Sequence, residues 1–235
     1  MVSFIVPAHN EEQVLGPTLE AIHRAAVAIN ITCELIVVDD GSVDATPEIA
    51  RAGGARVIAV DYRQIARTRN AGGRAAAGDL LIFIDADTIV NAPVLEATIA
   101  AIDGGAIGGG ALLTFDDPMP RSARALAATV ALGMRLGKLA AGAYLFCTAE
   151  AFAVAGGFDE NLFATEELSF SRALRRVGLI VILRERVLTS GRKARTHGFR
   201  ELWAPAALVL RYGPSVFRDR ARLSLWYGRR RKDPR

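Results

Sequence analysis

Leu80-Leu81-Ile82-Phe83-Ile84-Asp85-Ala86-Asp87 decides the fold, because five apolar residues run directly into two acids. A strand that is apolar on both faces is typical of the centre of a parallel sheet. Asp85 and Asp87 stand two residues apart, so an extended backbone would point both side chains the same way. Such a pair can hold one cation that also binds a diphosphate, although acids after a strand also form ordinary turns or helix N-caps.

Short apolar runs alternate with helical patterns on the N-terminal side of this segment. Strands are predicted at 4–6, 35–38 and 57–60, and helices at 15–29, from 46 onward and at 67–77. This alternation predicts an α/β fold with a Rossmann-like, mostly parallel sheet flanked by helices. Thr46 is expected to cap the second helix, because Pro47 and Glu48 follow it.

The pattern is looser after Asp103. A strand is predicted at 111–115, a helix at 122–139, a helix at 167–177 and a strand at 179–183. No internal repeat or low-complexity linker divides the chain, so we expect one domain over residues 1–200, with halves at 1–103 and 104–200. Residues 201–235 are expected to form a basic amphipathic helical tail.

Polar residues follow three of the predicted strands. They are residues 7–12, 39–42 and 85–88. The carboxyl ends of parallel strands meet at one edge of a sheet, where ligands bind, so about six carboxylates should converge there. Clustered anions repel one another unless a cation lies among them, and oxygen ligands suit Mg²⁺ or Mn²⁺.

The charge of the chain is divided unevenly. Of the 29 Lys and Arg residues, 15 follow residue 183, against 4 of the 25 Asp and Glu residues. The tail also carries Trp203 and Trp226, and a basic amphipathic segment of this kind can lie on an anionic bilayer. The alternative is a helix packed on the domain with its arginines in water. Nucleic acid is not an expected partner, because no known reader motif accompanies the charge.

The compartment is inferred from what the sequence contains. Cys33 and Cys147 have no metal-ligand spacing and are too few for a disulfide framework, which favours a reducing compartment. The N-terminus starts with apolar residues rather than a basic leader, so no secretory signal is expected. The most apolar long stretch, 125–147, is broken by Arg135 and Lys138, so no spanning helix is expected. We therefore expect a cytoplasmic protein, peripheral on the inner face of the membrane if the tail binds lipid.

Five motifs, in this order, resemble the family 2 glycosyltransferases. They are residues 5–12 (IVPAHNEE), 37–42 (VVDDGS), 69–72 (RNAG), 78–87 (from Gly78-Asp79 to the two acids), and 156–160 (GGFDE) with 165–168 (TEEL). The resemblance covers residues 3–185. It implies a GT-A fold, a nucleoside diphosphate-sugar donor, a bound Mn²⁺ or Mg²⁺ and inversion at the anomeric carbon. The 1–103 half would then bind the nucleotide-sugar and the 104–200 half the acceptor.

The resemblance also assigns roles to residues of the donor site. Pro7, Ala8 and Glu11 should border the nucleotide, and Asp39 or Asp40 should bind its base. Arg69 should approach the nucleotide or its phosphates. Asp85 and Ala86 should lie near the ribose and metal, and Asp87 should be the principal metal ligand. His197 is a candidate third metal ligand, the alternative being an ordinary surface histidine. A UDP-sugar is the expected donor.

The acceptor hydroxyl must lose a proton as it attacks, which requires a carboxylate within hydrogen-bond reach. Members of this family commonly have an aspartate where this chain has Glu167, so Glu167 is the expected base and Glu166 its rival. From local sequence alone the same pair can be a helix start, capped by Thr165 and favoured by the helix dipole. The acceptor is expected to be a hydroxyl, with a lipid or lipid-linked molecule favoured if the tail lies on a membrane.

Two other functions are considered. Residues 83–88 resemble the nucleophile motif of haloacid dehalogenase-like phosphatases, although that motif usually lies near the start of a chain. The replacement of aspartate by Glu167 would also suit a nucleotide-sugar-binding or membrane-adaptor module without catalysis. The glutamine- and tryptophan-containing signature of processive synthases is absent, which favours transfer of a single sugar.

Overall fold

A computed structural model describes residues 1–115, 133, 139–140, 142–190, 217–219 and 223. The strands in these ranges are β1 (Val2–Ala8), β2 (Cys33–Asp40), β3 (Arg56–Val60), β4 (Leu80–Ile84), β5 (Thr88–Ile89), β6 (Gly108–Phe115), β7 (Tyr144–Thr148) and β8 (Ile180–Thr189). The helices are α1 (Leu15–Ala28), α2 (Thr46–Ala52), α3 (Ile65–Ala75), α4 (Ala92–Asp103), α5 (Ala149–Ala155) and α6 (Glu166–Val177). None of these described helices is long and apolar enough to cross a membrane.

The described strands form one sheet in the order β3-β2-β1-β4-β7-β6-β8-β5. The neighbours β3, β2, β1 and β4 are all parallel, as the alternation of strands and helices predicts. β7 runs antiparallel to β4 and β6, β6 and β8 are parallel, and the short β5 is antiparallel to β8. The α/β fold with a mostly parallel sheet flanked by helices is therefore confirmed, with β7 as a reversed strand beside the parallel half.

Alternate residues of the central strands pack on opposite faces of the sheet. Ile82 belongs to a cluster with Leu19 and other residues of α1 and α4. Phe83 belongs to a cluster on the other face, where its ring lies edge-on to Phe158 at 5.1 Å between centroids, and Phe158 contacts Phe170 at 4.3 Å. Because both faces are covered, β4 has no position at which a polar side chain would reach water.

α3 lies unusually close to the sheet because of two adjacent glycines. A Cβ atom on Gly72 would overlap the side chain of Ile5 and come within 2.9 Å of the Val38 Cγ2 atom. A Cβ atom on Gly73 would lie 2.6 Å from the ring of Phe152. The glycines that follow Asn70 and Ala71 therefore allow the backbone of α3 to approach β1, β2 and α5. The start of α3 lies at the carboxyl edge of the sheet (the ends of β1, β2 and β4), because α3 follows the parallel strand β3.

The expected capping role of Thr46 is wrong. Helix α2 begins at Thr46 itself, its N-cap is Ala45, and no side chain makes a capping hydrogen bond. The Thr46 hydroxyl instead accepts from the Glu11 N–H at 2.7 Å and donates to Asp44 Oδ1 at 2.5 Å. It is thus used between two loops, a tertiary contact that local sequence does not contain.

Several element boundaries differ from those predicted. α3 begins two residues earlier than the predicted helix at 67–77, and β8 continues six residues beyond the predicted strand at 179–183. β5, β7, α4 and α5 were not anticipated. The helix predicted at 122–139 lies almost entirely outside the described residues.

Gly72→Ala should destabilise the protein by about 1–3 kcal/mol, because the added methyl group would have to displace Ile5 and Val38 in a packed core. Chemical denaturation monitored by circular dichroism would measure this change. Gly16→Ala, within α1, is the matched control, since a Cβ atom there would meet only Ile49 at an ordinary 3.8 Å. The control should be neutral or stabilise by about 0.5–1 kcal/mol, and equal effects of the two variants would contradict the proposed close approach.

Candidate active site

The loops after β1 and β2 are fastened to each other at the carboxyl edge. The Asn10 N–H donates to Ser42 Oγ at 2.8 Å, and Asn10 Oδ1 accepts from the Val43 N–H at 2.8 Å. Asn10 has a positive φ of 53°, which reverses the chain directly after the strand. Pro7 and Ala8 form the buried end of β1, and Ala8 pairs in register with Asp39. The sites of the expected nucleotide contacts are therefore rigidly linked.

Asp39 and Asp40 have different roles in the fold. The Asp40 carboxylate accepts four hydrogen bonds, from Tyr62 N (2.6 Å), Arg63 N (2.8 Å), Gln64 N (3.0 Å) and Thr68 Oγ1 (2.9 Å). These bonds hold the loop before α3 and its first turn, so Asp40 is occupied by the fold. The Asp39 carboxylate accepts one bond, from Ser42 N at 3.3 Å, which leaves it acceptor capacity for a ligand.

Arg63 closes the same end of the site, a role that no motif in the sequence indicates. Its Nη1 lies 2.7 Å from His9 Nε2, its Nη2 donates to the Gly41 carbonyl at 2.9 Å, and its Nε donates to Asp61 at 3.0 Å. Arg63 has a positive φ of 52°. The contacts with His9 and Gly41 could not be predicted from the isolated sequence, because both partners are distant in the chain.

The acids after β4 lie in a tight turn. The Thr88 N–H donates to the Asp85 carbonyl at 3.0 Å, the Thr18 hydroxyl of α1 donates to the Ala86 carbonyl at 2.8 Å, and the Ser190 N–H donates to the Asp87 carbonyl at 3.2 Å. The expectation that extended backbone aligns the two side chains is therefore wrong, because the turn begins at Asp85. The turn itself is held from both sides by its main-chain carbonyls.

A buried guanidinium lies among three carboxylates at the centre of the site. Arg69 Nη2 donates to Asp85 Oδ1 at 2.8 Å, while its Nη1 lies 2.8 Å from Glu166 Oε1 and 3.1 Å from Glu167 Oε1. Burial by itself would lower the pKa of the Arg69 guanidinium, but the charges of Glu167, Asp85 and Glu166 outweigh it and raise the pKa further above its ordinary value. Arg69 therefore stays charged.

The two glutamates begin α6 but differ in their surroundings. Burial, and next the negative charge of Glu167, raise the pKa of Glu166 to about 8 against the opposing effect of Arg69. Only 4% of the Glu166 side chain is exposed, compared with 20% for Glu167. Thr165 is the N-cap residue of α6, as expected, but its side chain makes no capping hydrogen bond. Its backbone is left-handed (φ 62°), unlike the extended backbone of a typical N-cap residue.

Asn70 fastens the loop that precedes α6. Its Oδ1 accepts from the Phe158 N–H at 2.8 Å, and its Nδ2 donates to the Phe158 carbonyl and to Glu160 Oε1, both at 2.9 Å. Gly157 has a positive φ of 73°, and a Cβ atom there would lie 2.5 Å from Asn70 Oδ1. The motif at 69–72 thus joins the two halves of the site, with Arg69 and Asn70 contacting the acceptor-side segment and Gly72 contacting the sheet.

The expected cluster of carboxylates is satisfied largely by the protein itself. Asp40 is held by N–H groups and a hydroxyl, and Asp85 shares Arg69 with two glutamates that the cluster prediction did not include. Within the described part of the chain, no three His, Cys, Asp or Glu side chains are arranged to hold a metal ion. His197 lies outside the described residues.

The sequence profile described as Glycosyl transferase family 2 matches residues 3–136. The chain belongs to this family. Nothing in this match supports the phosphatase or the inactive-module alternative.

Relatives with curated functions match less than half of the chain. The chain is 38% identical over 106 residues to 4,4'-diaponeurosporenoate glycosyltransferase of Staphylococcus haemolyticus, covering 42% of the chain and 27% of the relative. It is 36% identical over 95 residues to undecaprenyl-phosphate 4-deoxy-4-formamido-L-arabinose transferase of Pseudomonas aeruginosa, covering 37% and 28%. The chain thus spans about a quarter of the length of these relatives.

Solved glycosyltransferase structures share the fold. TarS of S. aureus (residues 1–349), in complex with UDP, superposes with a TM-score of 0.63 at 19% identity, covering 80% of this chain and 60% of that one. The mannosyltransferase PcManGT of Pyrobaculum calidifontis, in complex with GDP-Man and Mn²⁺, superposes with a TM-score of 0.64 at 18% identity, covering 86% and 59%. These likenesses confirm the GT-A fold.

Glu166→Gln should change how stability depends on pH. An unfolded glutamate has an ordinary pKa of 4.5, so between that pH and about 8 the folded wild type retains a proton that the unfolded chain has released. Wild-type stability should therefore fall as pH rises through this window, and the loss should be complete above about pH 8. The glutamine variant cannot release this proton, so its Tm relative to wild type should increase from about pH 5 to about pH 8.5, measured in EDTA.

The matched control is Glu20→Gln, which removes a surface glutamate paired with Arg24 on α1. Its Tm should follow the wild-type dependence on pH. If the Tm difference between Glu166→Gln and wild type did not vary with pH, the assignment of a retained proton to Glu166 would be wrong.

Proposed function

We propose that this protein transfers one sugar, with inversion, from a nucleoside diphosphate-sugar to a hydroxyl acceptor. The observation that carries the proposal is the meeting of Asp85 with Glu166 and Glu167 on one buried guanidinium at the carboxyl edge of the sheet. Asp85 belongs to the half that matches the family profile, and the glutamates begin a helix of the other half. A site for transfer between two substrates requires such a meeting of donor-side and acceptor-side groups.

On the donor side, we assign binding of the nucleotide base to Asp39 rather than Asp40, because the Asp40 carboxylate already accepts four hydrogen bonds within the fold. A carboxylate that accepts hydrogen bonds suits a base with a ring N–H group, which uracil and guanine both have. Pro7, Ala8 and Glu11 would border the nucleotide. A UDP-sugar remains the proposed donor, and the similar structures in complex with UDP and with GDP-Man are consistent with a donor of this class.

A divalent metal ion, Mn²⁺ or Mg²⁺, is part of the proposal. The residues that would hold it are Asp87 and, shared with Arg69, Asp85, with His197 as a proposed third ligand. The fit is supported by the chemistry of two hard carboxylate ligands on a turn whose main-chain carbonyls are fixed from α1 and from Ser190. When bound, such an ion would stabilise the negative charge of the departing diphosphate.

Glu167 is proposed as the base that accepts the proton of the acceptor hydroxyl, with Glu166 as the second candidate. The Glu167 side chain is five times more exposed than that of Glu166, so an acceptor can reach it more readily. The raised pKa of Glu166 favours its protonated form, which cannot accept another proton. Arg69 contacts both carboxylates and would keep Glu167 oriented.

A lipid or lipid-linked acceptor and contact with the inner face of the membrane complete the proposal. The Pseudomonas aeruginosa relative is named as a transferase for undecaprenyl phosphate. One described part of the C-terminal segment lies beside the acceptor side, since the Phe163 N–H of the loop before α6 donates to the Phe217 carbonyl at 2.8 Å. Leu223 is also buried. These contacts support a tail that is near the proposed acceptor site.

The donor site is tested by thermal shift with UDP, GDP, dTDP and CMP, each with Mn²⁺ and with EDTA. One nucleoside diphosphate should raise the Tm only with Mn²⁺, because a ligand that binds the folded state stabilises it by mass action. Asp87→Ala should abolish the shift, and Asp39→Asn should reduce it. The control is Asp79→Asn, which alters an exposed acid at the start of β4, the end opposite to Asp85 and Asp87.

Asp79→Asn should respond to the nucleotide as wild type does. If no nucleotide shifted the wild-type Tm, either with Mn²⁺ or with EDTA, the proposed function would fail. If Asp87→Ala responded like wild type, the proposed metal site would be wrong while the donor class survived.

The membrane contact is tested by flotation with vesicles of phosphatidylglycerol and phosphatidylcholine. Wild type should float with these anionic vesicles and not with pure phosphatidylcholine. Changing Arg229, Arg230, Arg231 and Lys232 to glutamine should weaken binding at least about tenfold, because each basic residue near an anionic surface contributes about 1 kcal/mol. The paired control, Arg24→Gln with Arg51→Gln, removes exposed arginines from the helices α1 and α2, and equal loss in both proteins would contradict a specific role of the tail.

A further inference from the structure

The surroundings of Arg69 do not suit a residue that binds the donor phosphates. Its side chain is 3% exposed, and both of its terminal nitrogens are engaged by carboxylates at 2.8–3.1 Å. The Phe158 ring covers the guanidinium, with 5.4 Å between the ring centroid and Cζ. A diphosphate that reached these nitrogens would compete with carboxylates that already pair with them, and a displaced acid would lose its cationic partner.

A purely structural role does not account for this arrangement either. α3 is already joined to the acceptor-side loop by neutral groups: Asn70 makes three hydrogen bonds there, and Gln64 Nε2 donates to the Glu160 and Leu162 carbonyls. A buried guanidinium paired with carboxylates is a poor way to stabilise this junction further, because apolar residues of similar volume often give a fold of equal or greater stability.

The geometry of Arg69 has a further cost that a structural ion pair would avoid. Its Nε is buried and makes no hydrogen bond to any described residue. A guanidinium has five N–H groups in a fixed planar fork, so the position of the two terminal nitrogens determines that of Nε. The fork is therefore aligned with the three carboxylates while Nε has no partner among the described residues, an arrangement that packing alone would not favour.

We propose that Arg69 is a positioning residue that joins Asp85 of the donor side to Glu166 and Glu167 of the acceptor side, and that it does not bind the donor phosphates. The inference rests on the proposed function and deepens it. Nη2 holds Asp85 at the end of β4, and Nη1 holds both glutamates at the start of α6. The donor-side acid and the proton-accepting acid thus keep a fixed separation that is determined by one rigid, planar group.

The test compares Arg69→Lys and Arg69→Met with wild type in two measurements. The first is the Kd for UDP or GDP with Mn²⁺ by calorimetry. The second is the release of nucleotide from UDP-glucose, UDP-GlcNAc or GDP-mannose by water at saturating donor, whichever of these the wild type hydrolyses. Glu167→Gln is included as a variant that keeps Arg69, and thermal unfolding establishes that each variant is folded at the assay temperature.

Both Arg69 variants should bind the nucleotide within about threefold of wild type, since no donor contact is lost. Turnover at saturation should fall about 100-fold in Arg69→Met, the order of magnitude expected when a reacting group is displaced by about 1 Å. Arg69→Lys should recover part of this loss, because it keeps the charge but not the planar fork. A residue that only stabilises the fold would not separate turnover from affinity in this way.

The matched control is Arg74→Met, which removes another arginine of α3 that pairs with a glutamate, Glu160 at 3.1 Å, but on the exposed side of the helix. It should leave both measurements unchanged.

Three results would overturn the proposal. A Kd raised more than about tenfold with unchanged saturated turnover would make Arg69 a phosphate ligand, because a charge-assisted hydrogen bond contributes at least this much. Unchanged Kd and turnover would make it a bystander. No nucleotide binding by the wild type would remove the proposed function and this inference together. If wild type binds nucleotide but hydrolyses no donor, the affinities of the folded variants decide whether Arg69 binds the phosphates: unchanged values support the proposal on this point and weakened values overturn it.

Discussion

Three carboxylates can lie together at the carboxyl edge of the sheet because one buried guanidinium offsets part of their charge. Arg69 contacts Asp85, Glu166 and Glu167 within 3.1 Å, and these acids come from segments about 80 residues apart in the chain. The negative charge still exceeds the positive, and the raised pKa of Glu166 is the expected response of the most buried acid. The end of β4, the start of α3 and the start of α6 are positioned relative to one another through this cluster.

Hydrogen bonds outside that charged cluster fix the backbone around it. Asp40 holds the loop before α3 with three N–H groups, and Asn70 holds the loop before α6 through both the N–H and the carbonyl of Phe158. Gly72 lets α3 lie directly on β1 and β2. Because these contacts fix the backbone without any group of the Arg69 cluster, Arg69 needs only to orient side chains at a junction that is already assembled.

The parallel half of the fold could be predicted from local sequence, because each strand there is a short apolar run that ends in polar residues. β4 was predicted with its observed bounds for this reason. The acceptor half was less predictable: β7 is apolar like β4 but runs in the opposite direction, and no local pattern specifies strand direction. The same limit applies within the site. Asp39 and Asp40 are adjacent and chemically identical, and only the chain that returns at residues 62–64 distinguishes the acid that the fold uses from the acid that is left for a ligand.

The glutamate at position 167, where family members commonly have an aspartate, is explained by the same cluster. Glu166 and Glu167 are adjacent at the start of α6, yet their carboxylates both lie within 3.1 Å of the single Nη1 atom of Arg69. Two neighbouring helical residues point in directions about 100° apart, so long side chains help them to converge on one atom. An aspartate would be shorter by one methylene, about 1.5 Å, and from the same backbone would not span the observed separation from Arg69. The longer side chain is thus consistent with a site in which the proton-accepting carboxylate is held by a buried arginine and still retains exposure to an incoming acceptor.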